Sequence, residues 1–277
     1  MRARALGTLL AASLLAVLLL AVPSASAQEP VFLLDPFKPA PGPGTPPGSD
    51  DGKPAPDPPP PARPYQPQNL SNETTLSRWA YVLEATPARR LPKMESKVVK
   101  RLKTYTSDGT PELVLLLQRV KRKDGSVWVK VRLPMRPNGR TGWVPRPRLG
   151  RFRKVRQQLV VDRRRFRATL FDNGRAVWSS RIGVGEPRWP TPTGRYYVRE
   201  RLIPREKNGI YGVFAFGTSA YSDVLTDWPG GGVIGIHGTN QPGILPGRVS
   251  HGCVRVPNKN IRELRGMMSL GTPILIR

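Results

Sequence analysis

A single cysteine, Cys253, and two histidines, His237 and His251, are all that 277 residues contain of those types. One thiol excludes an intramolecular disulfide, so packing must hold the fold together. So few soft ligands also argue against a metal centre, and the nearby carboxylates Asp223 and Asp227 show no zinc spacing. No cofactor site is legible either: the glycines at 183, 185, 230, 231, 232 and 235 lack the lysine that a phosphate loop requires. Acidic residues are scarce as well, 19 against 45 basic ones, for a net charge of +26. Long apolar runs are absent except at the N-terminus.

That one run, Leu9 to Val22, carries no charge and follows a start with Arg2 and Arg4. Its length suits a signal peptide better than a membrane span, and Ala25, Ser26 and Ala27 offer a cleavage point, so residues 1–27 read as an export signal. An uncleaved anchor is the rival, and the only reading in which the chain contacts a membrane. Either way the folded part is expected to be secreted or in the cell envelope. Export also argues against nucleic acid as the partner of so basic a chain and leaves anionic cell-wall polymers or lipid head groups. Arginine supplies 33 of the 45 basic residues, and a GC-rich genome accounts for part of that excess as readily.

Proline is not scarce, but it is segregated: 15 of 32 prolines fall between Pro30 and Pro67. Locked φ angles and missing donors make residues 28–69 a disordered, extended linker. The remainder is long enough for two domains, expected at 70–150 and 151–277.

The first reads as short strands. Val127, Val129 and Val131 alternate with Trp128, Lys130 and Arg132 after an Asp124-Gly125 turn, and Asn138-Gly139 precedes another short strand. The second is also mainly β. "QLVVD", "FRATLF", "RAVWSSRIGVG", "TGRYYVRERL", "GVIGIHG", "VRV" and "PILIR" read as strands, with a hairpin turn at Asp172-Asn173-Gly174. "TSAYSDVLTDWPGGG", residues 218–232, reads as a loop in which Tyr221 and Trp228 form either a cover over a cleft or a core patch. One short helix is expected at about 260–268, capped by Asn258 or Asn260.

The chemistry gathers in the last quarter of the chain. Both histidines lie within 16 residues of the only thiol. A thiolate is the nucleophile of cysteine chemistry and imidazole the side chain best suited to take its proton near neutral pH. Spacing alone does not choose between His237, at the end of a strand, and His251, two residues from Cys253. Papain and caspase signatures are missing, which weakens a general cysteine protease.

Two resemblances sharpen this. "GRTGWVPRPRL", residues 139–149, resembles the ending of bacterial SH3-like domains and implies a small β-barrel that binds or positions. "HGTNQPGILPGRVSHGCVRV", residues 237–256, with "GVGEPRWPTPTGRYYV" upstream, resembles the L,D-transpeptidase catalytic domain of the YkuD type. That resemblance implies Cys253 as nucleophile, His237 as base and the carbonyl of Gly238 as the group orienting it. It makes Ser250, His251 and Gly252 lining and oxyanion residues, while Arg255, a permanent cation, either holds the site's loops or binds a substrate carboxylate. It further implies peptidoglycan stem peptides as substrate and a thioester pathway needing no cofactor. Three alternatives stay open: a carboxypeptidase outcome, attachment of proteins to the wall, and a non-catalytic wall-binding module.

Overall fold

The computed structural model describes residues 32–34, 66–206, 208–227 and 231–277. The proposed signal segment, most of the Pro-rich stretch and Trp228 lie outside the described residues. Within that stretch Phe32–Leu34 is a strand paired in parallel with the long strand Gly194–Pro204.

Two sheets make up the folded region, and among the described residues there is one α-helix. The first sheet, eight-stranded, runs in the order Val98–Leu102, Thr86–Arg89, Thr141–Pro145, Val127–Arg132, Leu113–Lys121, Ser77–Tyr81 and Arg153–Val155, with Gln68–Asn69 added beside Leu113–Lys121. It wraps around its own core of Leu70, Ala80, Val82, Leu102, Val114, Leu116, Val129, Val131, Leu133 and Val144. The change of sheet comes at Arg156, because Arg153–Val155 still pairs with Ser77–Tyr81.

The second sheet, eleven-stranded, is mixed. Its central run is Gln157–Asp162, Pro273–Ile276, Gly194–Pro204, Ala215–Tyr221, Val233–His237 and Val254–Arg255. Asn173 and Gly174 both take positive φ, 48° and 79°, which closes the hairpin between Arg167–Asp172 and Arg175–Arg181 as a tight turn matched to strand twist. Two expectations need correction. Residues 218–221 are not loop but the end of the strand Ala215–Tyr221; that strand is buried at nearly every residue, so it shows no apolar-polar alternation. The helix spans Asn258–Met267, begins after Pro257 and has no side-chain cap. Asn258 Oδ1 instead accepts from the backbone N–H groups of Val213 and Thr239, at 3.3 and 3.2 Å.

The two cores are continuous. Trp79, Leu113, Leu115 and Val155 of the first sheet belong to the same apolar cluster as Leu159, Tyr196, Tyr197, Phe214, Ile236 and Ile274 of the second. A β-carbon on Gly271, at φ 73°, would come within 2.1 Å of the Trp79 ring, so the indole sits where only glycine leaves space. Beside it the buried Arg199 donates to both carboxylate oxygens of buried Glu112, the Nε–Oε1 contact being 2.7 Å.

Candidate active site

Parallel pairing places the site. Val233–His237 lies beside Val254–Arg255 with Ile236 opposite Val254 and His237 opposite Arg255. A parallel neighbour cannot come from a tight turn, so residues 238–253 leave the pair, form the strand Gly247–Ser250 beside Gly183–Gly185, and return Cys253 to the start of the shorter strand. The half-buried sulfur of Cys253 accepts the backbone N–H of Gly235 at 3.3 Å. His237 lies two residues on and hence on the same face of the strand as Gly235. A β-carbon at Gly235 would stand 3.6 Å from His237 Cδ2 and 3.8 Å from Cys253 Sγ. Imidazole and thiol therefore flank one point, kept open by the missing side chain of Gly235.

The orientation of the imidazole is set by its other edge. His237 Nδ1 lies 2.6 Å from the carbonyl oxygen of Gly238. A carbonyl only accepts, so the proton sits on Nδ1 and Nε2, next to Cδ2, is left as the basic nitrogen. A β-carbon at Gly238 would lie 2.2 Å from Asn258 Oδ1, so glycine is required to bring that carbonyl round. The ring edge of Tyr211 meets the imidazole at 4.9 Å and 68°. Burial pushes the His237 pKa down to about 4, the Gly238 contact opposing and the charge of Arg255 adding to the shift. Burial likewise pushes the Cys253 thiol up, against the Gly235 N–H and Arg255. At neutral pH the pair rests as thiol and neutral imidazole.

The turn that carries the sulfur is closed on itself. Buried Ser250 donates its hydroxyl to the carbonyl of Cys253 at 2.6 Å and accepts the N–H of Gly252 at 3.2 Å. Gly252 adopts φ 113°, with Ile234 Cδ1 2.9 Å from where a β-carbon would go. The carbonyl of Gly252 in turn accepts from Thr191 Oγ1 at 2.7 Å, and that same hydroxyl accepts the N–H of Gly185 at 2.8 Å.

A family model described as the L,D-transpeptidase catalytic domain (YkuD) matches residues 156–276. Residues 156–276 form an L,D-transpeptidase catalytic domain. Among curated relatives, YkuD of Bacillus subtilis is 33% identical over 108 residues, covering 39% of this chain and 58% of its own length. The chain thus spans somewhat over half of that relative. Among solved structures, Bd1075 of Bdellovibrio bacteriovorus is 30% identical, covering 44% of this chain and 47% of its own, with a TM-score of 0.36. The catalytic domain of Enterococcus faecium L,D-transpeptidase, determined acylated by ertapenem, is 27% identical over 44% of this chain and 96% of its own, with a TM-score of 0.31.

Around the thiol of the transpeptidase domain, the remaining predicted residues take separate positions. The His251 ring lies 3.9 Å from that of Trp189, which in turn carries the Arg188 guanidinium 3.6 Å from its centroid. Arg255 is half-buried, and its buried Nε has no hydrogen-bond partner among the described residues. Tyr221 ends the strand preceding Val233–His237 and is covered by Arg136 at 5.1 Å. The expected oxyanion group loses part of its donors, since the Gly252 N–H is taken by Ser250.

Sequence reasoning missed Gly235, Trp189, Thr191 and Asn258. Gly235 was within reach, being two residues before His237 in a strand. Trp189 and Thr191 lie in the quoted stretch upstream of the site, but their contacts to His251 and Gly252 cross about 60 positions, and Asn258 reads from the sequence only as a helix cap. Among the described residues no three His, Cys, Asp or Glu side chains come together as a metal-ligand group. No described helix is long and apolar enough to cross a membrane.

Proposed function

We propose that this chain is an exported peptidoglycan L,D-transpeptidase of the cell envelope, with Cys253 as nucleophile and His237 as general base. The observation that carries this reading is the placement of the chain's only thiol and the Nε2-bearing edge of a neutral imidazole around the open point at Gly235. In the first half-reaction, the sulfur bonds to the carbonyl carbon joining a diamino acid to the terminal D-residue of a donor stem. Its proton passes to His237 Nε2. The C–N bond then breaks, the departing amine takes that proton, and a thioester remains.

The second half-reaction reverses the roles: an acceptor amine attacks, gives a proton to Nε2, and the C–S bond breaks as the sulfur is reprotonated. Burial holds the thiol above its ordinary value and the imidazole down at about 4, so neutral thiol and neutral imidazole are the resting forms from which attack starts. Backbone N–H groups around Cys253, other than that of Gly252, stabilise the oxyanion. The permanent cation Arg255 receives a stem carboxylate, and its unpartnered Nε supports that role. His251 and Trp189 line the entrance, and Tyr221, at the end of the strand before Val233–His237, contributes to substrate binding together with Trp228.

The remaining parts follow from this. Residues 1–27 direct export, and the Pro-rich stretch spaces the enzyme from the membrane or wall. The first domain is SH3-like and positions the enzyme on peptidoglycan, with the basic surface attracting anionic wall polymers. Purified muropeptides with a tetrapeptide stem, analysed by mass spectrometry, test the reaction. Cross-linked dimer with loss of the terminal D-residue is expected from the wild type, and none from Cys253→Ala. Loss of the D-residue without dimer would assign a carboxypeptidase instead. Activity retained by a folded Cys253→Ala protein would overturn the mechanism.

A further inference from the structure

The hairpin that presents Gly235 and His237 is held at its far end by the other domain. Its ladder is regular where Ala215 faces His237, Phe216 faces Ile236 and Gly217 faces Gly235, and then slips so that Tyr221 faces Val233. Pairing is interrupted just beyond Gly235, the residue whose N–H reaches the sulfur. A side chain fills the gap: Thr218 Oγ1 donates to the carbonyl of Ile234 at 2.6 Å and accepts the N–H of Ala220 at 3.1 Å.

Beyond the slip, Arg136 of the first domain takes over. Its Nε donates to the carbonyl of Ser222 at 2.6 Å, and its Nη2 to those of Leu225 at 2.9 Å and Gly231 at 2.8 Å. Asn138 reproduces a strand partner, donating through Nδ2 to the Tyr221 carbonyl at 2.7 Å and accepting the Tyr221 N–H at 3.0 Å. Its Nδ2 also reaches Asp223 Oδ1 at 3.0 Å. Gly232, at φ 74°, has room for no β-carbon, which would lie 2.5 Å from Arg136 Nη2 and 1.9 Å from the carbonyl of Leu225. The catalytic domain's own chain is thus turned around a guanidinium that it does not supply. A fork of fixed donors suits this task better than an ammonium.

We propose that Arg136 and Asn138 are positioning residues of the transfer reaction: by fixing the outer end of this hairpin, they set the approach of the Gly235 N–H to the Cys253 sulfur. This rests on Cys253 being the nucleophile. Both residues come from the turn between Val127–Arg132 and Thr141–Pro145, so the first domain completes the site rather than only locating it. The Gly235 N–H favours thiolate over thiol. The charged and titratable groups nearest the sulfur are His237, which shares this strand with Gly235, and Arg255, with His251 two residues before Cys253 in the chain.

The test uses full-length Arg136→Ala, Arg136→Lys and Asn138→Ala proteins, with folding checked by circular dichroism. Acylation by ertapenem, followed by intact mass, should slow by about 10- to 100-fold in Arg136→Ala, as a misplacement of about 1 Å at a reacting group does. The pH inflection for alkylation of Cys253 by iodoacetamide should rise in the same variant. Asn138→Ala should show both effects more weakly, and Arg136→Lys should recover part of the rate. If Arg136→Ala does not fold, Asn138→Ala carries the same test. Folded variants whose acylation rate and inflection stay within twofold of wild type would overturn the proposal. An ertapenem adduct that persists in Cys253→Ala would instead overturn the nucleophile assignment, which the alkylation inflection does not depend on.

Discussion

Acidification offers a direct reading of the environment around His237. The unfolded chain protonates this histidine at its ordinary value of 6.5, the folded chain only at about 4. Between those values the unfolded state binds the extra proton, so stability falls as pH falls. The loss from this group is about 2 kcal/mol by pH 5 and about 3 kcal/mol by pH 4, with little more below. Carboxylates titrate over the same range and obscure the effect in the wild type alone. Subtracting urea-unfolding curves of His237→Gln from those of the wild type removes the shared contributions. The wild type should lose about 3 kcal/mol relative to the variant between pH 7 and pH 4, whatever constant offset the substitution introduces. The continuous core running from Trp79 to Ile274 supports a single transition for this comparison. Curves that stay parallel to within about 0.5 kcal/mol would refute a buried, neutral imidazole. In kinetics, the same shift puts the acid limb of kcat/KM near pH 4 instead of 6.5.

Gly235→Ala should fold, since its new methyl makes only ordinary contacts of 3.6 to 3.8 Å, yet transfer should fall at least about tenfold because the methyl fills the space between imidazole and sulfur. Muropeptide turnover beside a melting curve checks both halves. Trp79→Ala should cost about 3–5 kcal/mol by urea denaturation, the range for emptying a buried aromatic site. Arg199→Met alone should cost about 3–5 kcal/mol by leaving Glu112 buried and uncompensated, whereas the pair Arg199→Met with Glu112→Leu should recover most of it. Ser250→Ala should slow transfer by opening the turn that presents Cys253, measured by muropeptide turnover with the secondary structure unchanged.

Legibility in the sequence followed the range over which each residue acts. The turn at Asp172-Asn173-Gly174 is local, so residue type and spacing were enough to read it, whereas the roles given to Ser250 through Arg255 came from the resemblance and not from spacing. The strand Ala215–Tyr221 was missed because Gly217, Thr218, Ser219 and Ala220 are small and buried on both faces, which removes the alternation that marks a strand. Asn258 has the chemistry of a helix cap, but two loop amides win its oxygen, and only the folded chain brings them near. Arg136 carried no signal at all: it is one arginine among 33, and its acceptors lie 86 to 95 positions later.

The seat of Trp79 against Gly271 has a wider implication. An indole from near the start of the folded region fills a hollow next to the final strand, so neither half owns a complete interior. Trimming the protein to its C-terminal half would therefore expose a greasy hole rather than release a minimal enzyme. It also makes the front half an unlikely candidate for exchange with a different module during evolution, because any newcomer would have to bring a ring of the same shape to the same spot.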